Sequence, residues 1–206
     1  MGNFLSSWMP SSGADLRAVD NFDLSRYART WYQVGFLPNW FQNKDSRDVK
    51  AIYTQLDADS MHVRNESRVD GEFRYIEGTA SKDPECCRGE ARFLVRFKPN
   101  VTQPIVGPAA PYWVIQLAGD YRYAVVSEPT RRFLWILSAV PTIDERDLAD
   151  IVQKLVMDQG FTRQQISALV WTPHSDRERF AQNVVVVPPA AANVGACVDS
   201  TRWRSA

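Results

Sequence analysis

The sequence predicts an all-β fold: eight antiparallel strands running up and down and closing into a barrel, or calyx, with one C-terminal α-helix packed on its wall. Three observations predict it. Between Thr30 and Ser138 apolar residues recur with a period near two in short runs. Most of these runs are joined by short turns, among them Asp70-Gly71. Only after Ser138 does the period lengthen to that of a helix. Eight meander strands leave two unpaired edges unless the sheet closes, and a barrel of that size holds one small ligand.

The elements follow in order. Thr30 to Leu37 is the first strand, and Val49 to Leu56, rich in β-forming residues, is the second. Asp57 to Ser60 is a turn, after which Met61, Val63 and Asn65 alternate with His62, Arg64 and Glu66. Glu72 to Ala80 is the fourth strand, and residues 81–89 form a loop. The fifth strand is the clearest. Ala91, Phe93, Val95 and Phe97 oppose Arg92, Leu94, Arg96 and Lys98, so one face is apolar and the other mostly wet. After the proline-rich residues 99–111 come strands at Tyr112–Leu117, Tyr123–Ser127 and Arg132–Ser138. Thr142 and Glu145 have the spacing of a capping box. Leu148, Ile151, Val152, Leu155 and Val156 then share one helix face, which ends near Gly160. Ile166 to Pro173 reads as a short final strand. Residues 1–19 read as a disordered leader, 20–174 as the folded domain and 175–206 as a mostly irregular tail, whose valines from Val184 offer an edge strand.

Composition narrows the function. Lys plus Arg and Asp plus Glu number 24 each, so the chain carries no basic footprint for nucleic acid. No apolar run is long enough for a transmembrane helix, and the N-terminus does not read as a signal peptide. These features point to a cytoplasmic or peripheral membrane protein. Gly2 and Ser6 fit the N-myristoylation pattern, which makes Gly2 a candidate lipidation site beside the plain-leader reading. A single acyl chain anchors only marginally. The three cysteines leave two readings open: a bridge from Cys86 or Cys87 to Cys197, or three reduced thiols. Their spacing suits no zinc site, and no metal or cofactor site is evident.

The residues also carry a family resemblance. "NFDLSRYARTWYQVGFLP", "GDYRYAVVSEP" and "RRFLWILSAVPT" resemble, in order, the three sequence motifs of the lipocalins. "GEARFLVRF" and "PYWVIQLAGDYRYAVV" look like the bacterial lipocalin and apolipoprotein D branch. The resemblance covers roughly Val19 to Pro173. It implies a small hydrophobic ligand, a barrel closed at one end by Trp31, and a loop after the first strand, with Trp40 and Phe41, over the mouth. Two positions depart from the family. Arg29 stands where a glycine is usual, and Ala139 where an arginine usually covers the motif tryptophan. Either Arg29 supplies the missing guanidinium over Trp31, or it points to water and leaves a looser closed end.

Strand phase and the resemblance together place Tyr53, Val63, Asn65, Ile76, Phe93, Val95, Trp113 and Trp135 inside the barrel, as ligand contacts or as plain core. They describe a mostly apolar cavity with a few polar groups. Neither His62 nor His174 suits a catalytic base, and no nucleophile elbow or phosphate loop exists. The leading reading is non-enzymatic binding and transport of a fatty acid or lysophospholipid, with a link to membrane maintenance or stress. The alternative is a barrel enzyme acting on a lipid or isoprenoid, which requires Cys86, Cys87, Glu66 or Glu77 to point inward.

Overall fold

Period-two patterning becomes a continuous antiparallel ladder in a computed structural model that describes residues 15–87, 89–99 and 107–176. The strands are β1 (Thr30–Phe36), β2 (Arg47–Gln55), β3 (Ser60–Val69), β4 (Glu72–Lys82), β5 (Arg92–Lys98), β6 (Ala110–Leu117), β7 (Tyr123–Ser127) and β8 (Leu134–Ser138), with a two-residue β9 (Val170–Trp171). Asp70 and Gly71 both take positive φ, 54° and 82°, as a tight hairpin requires. The β3–β4 ladder then runs unbroken from Val69↔Glu72 to Ser60↔Ser81.

Closure depends on β1. The sheet order is β2-β3-β4-β5-β6-β7-β8-β1-β9, and β1 also pairs with β2. That last pairing covers only Thr30 to Tyr32. Farther along, at Gly35 and Phe36, β9 pairs with β1 instead. The segment after β9 continues this seam: Thr172 donates its N–H to Val34 O, and Pro173 O accepts from Asp48 N.

Three features differ from expectation. A four-residue helix, α1 (Leu24–Tyr27), precedes β1 and is capped by Asp23. The main helix, α2 (Glu145–Met157), is capped by Asp144 rather than Thr142, with the Asp144 carboxylate accepting from Arg146 N at 2.8 Å. An anionic cap next to the first turn meets both the orphan N–H groups and the helix dipole. The expected strand over Ile166 to Pro173 splits into α3 (Arg163–Ser167) and β9, because Thr162 and Gln165 form a reciprocal capping box.

Residues 15–19, expected in the disordered leader, are fastened to the body. Val19 donates to Val114 O and accepts from Ala91 N, while Arg17 N donates to Gln159. At the other end Ser175 donates to Asp48 Oδ1. Gly2, Cys197 and the valine-rich tail lie outside the described residues.

Two apolar clusters result. One fills the barrel around Trp31, Tyr27, Met61 and Phe93. The other lies between the outer faces of β1, β6, β7 and β8 and the buried Ile151 and Leu155 of α2. Arg122, just before β7, clamps Asp147 of α2 with two bonds of 2.7 and 2.6 Å. Tyr123 OH donates to Asp150 at 3.0 Å, and burial pushes the Tyr123 hydroxyl up to about 12.

Candidate site: the barrel interior and its rim

The closed end is built by α1 and the β6–β7 turn. Asp23 N donates to Tyr121 OH at 3.0 Å, and Arg26 donates to Gly119 O at 3.0 Å. The Arg26 guanidinium also lies 4.0 Å from the Tyr121 ring centroid, a cation–π geometry. Trp31 is wholly buried beneath this lid, with its indole N–H bonded to Tyr27 O at 2.9 Å. Arg29, exposed as a residue, places its guanidinium 5.6 Å from the Trp31 ring centroid. That distance is near the outer limit for a cation–π pair. Arg26 is the cation that sequence reasoning passed over, although it stands inside the first motif.

Above Trp31 three tyrosines join across the barrel. Tyr112 OH bonds Tyr27 OH at 2.6 Å and Tyr53 OH at 2.8 Å. The Tyr27 and Tyr53 rings stack at 5.4 Å. Burial is the main cause that raises all three hydroxyls above their ordinary value, so the trio is neutral. Tyr112 is half-buried as a residue, and its hydroxyl lies between those of Tyr27 and Tyr53. Of the three, only Tyr53 was expected to face inward as a ligand contact.

Of the other expected interior residues, Val63, Phe93 and Val95 are buried in the barrel cluster. Asn65 and Ile76 face each other across β3 and β4 and are half-buried. Asn65 continues the interior phase of Met61 and Val63, and its enclosed Oδ1 has no hydrogen-bond partner. Trp135 packs on the barrel cluster. Its indole N–H donates to Gln42 Oε1 at 3.1 Å, and Phe41 lies 6.3 Å from its ring. These contacts hold the loop between β1 and β2 at the mouth, where Trp40 is 89% exposed.

Trp113 is a correction. It packs with the outer cluster, under the Arg92 guanidinium at 5.0 Å, while its neighbours Tyr112 and Val114 face the barrel. The β6 strand carries apolar residues on both faces because the wall cluster covers its outside, so alternation there has no readable sign. A bulge between Val114 and Gln116 shifts the phase again.

Glu66 and Glu77, two of the residues on which the enzyme alternative rests, do not face the barrel interior. They lie on the outer face of β3 and β4, paired with Arg64 at 2.7 and 2.9 Å. Cys86 and Cys87 lie in the loop between β4 and β5, and the bridge to Cys197 involves a residue outside those described. His174 is buried in the β1–β2 seam, with Nε2 2.8 Å from Gln33 O. Burial holds its imidazole below the usual histidine range. Among the described residues no group of three or more His, Cys, Asp or Glu gathers as metal ligands would. A cleft of about 390 Å³ beside Arg92 and Trp113 and one of about 330 Å³ beside Leu37 and Gln165 both lie outside the barrel wall, so neither is the interior site.

A closed antiparallel barrel with a plugged floor, an apolar interior and a loop-framed mouth defines a class of small-molecule-binding proteins. The chain belongs to the lipocalin family, whose members bind small hydrophobic ligands: the pattern of the Lipocalin-like domain matches residues 22–174. It is 34% identical over 163 residues to temperature-induced lipocalin-1 of Arabidopsis thaliana, covering 79% of this chain and 84% of that protein. It is 29% identical over 164 residues to the outer membrane lipoprotein Blc of Escherichia coli K12, covering 79% and 85%. Among solved structures, insecticyanin of the tobacco hornworm Manduca sexta shares the fold, with a TM-score of 0.61 at 21% identity, covering 82% of this chain and 89% of that one.

Proposed function

We propose that this chain binds and carries a fatty acid or lysophospholipid in its barrel, without catalysing a reaction on it. The observation that carries this reading is the gradient along the interior. Fully buried aromatics at the floor give way to half-buried Ile76, Phe97 and Trp135 and then to exposed Trp40 and Phe41. An acyl chain entering at the mouth would exchange water for apolar wall at about 0.8 kcal/mol per buried CH₂. The exposed aromatics suit brief contact with a membrane surface during lipid exchange. A cytoplasmic or peripheral membrane setting, with Gly2 as a candidate acylation site, fits that contact. A link to membrane maintenance under stress is in keeping with relatives described as a temperature-induced lipocalin and an outer membrane lipoprotein.

Titration with palmitate and with lysophosphatidylcholine, read by tryptophan fluorescence, tests the reading. A saturable change is expected because Trp135 stands at the mouth. No saturable change with either lipid would overturn it.

A further inference from the structure

The tyrosine trio is more than a floor. Three hydroxyls carry three protons, and a chain of two hydrogen bonds uses only two of them. One O–H therefore remains to donate, with oxygen lone pairs beside it, inside an otherwise apolar cluster. Tyr27, Tyr53 and Tyr112 make no other side-chain hydrogen bonds among the described residues. Short side chains, including Ala51, Val63, Val95 and Val126, belong to the same barrel cluster.

Among the described residues no cation stands beside the trio to balance a charge. Lys82 continues the interior phase of β4 beyond Ala80, but its ammonium donates to Glu90 O and lies over the Phe93 ring. An ionised carboxylate brought down to the tyrosines would lose its hydration and meet only neutral phenols, a strongly unfavourable transfer. A hydroxyl or carbonyl oxygen loses far less and regains a hydrogen bond. The rim differs. Gln42, bonded to Trp135 through Oε1, has an enclosed Nε2 with no partner and so can donate to an anionic head near solvent.

We propose that the barrel takes neutral lipids oxygen-first, with a hydroxyl or carbonyl end set against Tyr27, Tyr112 and Tyr53, whereas lipids with an ionised head enter tail-first and leave that head at the rim. The inference rests on the lipid-carrier reading above. It extends that reading to fatty alcohols, fatty aldehydes and other neutral lipids with one terminal oxygen.

The test compares 1-hexadecanol with palmitate, which share a chain length, against the full-length protein and its Tyr112→Phe and Tyr53→Phe variants. Tyr112→Phe removes the central hydroxyl and keeps the ring. It is expected to weaken 1-hexadecanol about tenfold, the worth of a buried hydrogen bond, and palmitate less than about twofold. Tyr53→Phe, which removes a terminal hydroxyl, is expected to weaken the alcohol selectively as well. It also serves as the reading if Tyr112→Phe does not fold. Equal weakening of both lipids, or none of either, would overturn the oxygen-first assignment while leaving the carrier reading intact. Failure of both lipids to bind the unmodified protein would overturn the two together.

Discussion

The two ends of this barrel treat their aromatic residues in opposite ways. At the floor Trp31, Tyr27 and Phe93 are at most 1% exposed, and the polar atoms of Trp31 and Tyr27 are bonded. At the rim Trp40 and Phe41 are 89% and 47% exposed. The floor is packed on every side, as interiors are. The rim keeps apolar surface in water, which costs free energy unless something else covers it. The difference teaches that stability and function are separated along one axis. Residues near α1 hold the barrel shut, and in the proposed carrier function residues near the β1–β2 loop would be the first to meet a ligand.

The largest test of that contrast is a pair of truncations. Trp31→Ala should cost about 3–5 kcal/mol in denaturant unfolding, as for other large buried aromatics. Trp40→Ala should change stability by less than about 0.5 kcal/mol and instead slow lipid uptake from vesicles. Equal destabilisation by the two would erase the distinction between floor and rim. A finer test concerns Arg29, whose guanidinium stands 5.6 Å from the Trp31 ring. Arg29→Ala should cost about 0.5–1 kcal/mol if this arginine replaces the one absent at Ala139. Unchanged stability would assign Arg29 to solvent and leave Arg26 as the working cation at the floor.

The smallest expected effect lies in the seam that runs toward the rim. His174 is held neutral by burial, and the charged groups around it are Asp48 and Lys50 of β2 and Asp176 of its own segment. Its folded pKa lies below the unfolded value of about 6.5, so the unfolded chain binds the extra proton first. The stability it contributes is therefore complete above about pH 6.5 and is lost as pH falls toward the folded value. Unfolding measured at pH 7.5 and at pH 5.5 should show a loss that His174→Asn reduces. An identical pH dependence in that variant would remove the histidine from the account.

Legibility in the sequence followed solvent. The interior face of β5 was readable because Arg92, Arg96 and Lys98 mark its outside as wet. The phase of β6 was not, because α2 and its surroundings cover the outside as well, and Trp113 was assigned to the wrong face. Asp144 took the helix cap from Thr142 because several oxygens compete for the same N–H groups within a few residues. Strand phase and the family resemblance together put Tyr53, Val63, Asn65, Ile76, Phe93, Val95 and Trp135 on the interior side; in β8, with Leu134 and Ile136 apolar on the outside, alternation alone does not place Trp135. Tyr27 and Tyr112 were not legible: one stands before the first strand, and the other sits where alternation has no sign.

By itself the sequence determined the order of the strands, the single long helix and the family, because alternation, turn residues and short motifs are local properties of the chain. Only the tertiary structure decided that Tyr27 and Tyr53 would meet Tyr112, which is 85 and 59 positions away in the chain. The same holds for the spliced β1–β2 seam and for the face that Trp113 presents. Closure of the sheet brings residues together across the barrel axis, and no periodicity along one strand encodes what stands opposite.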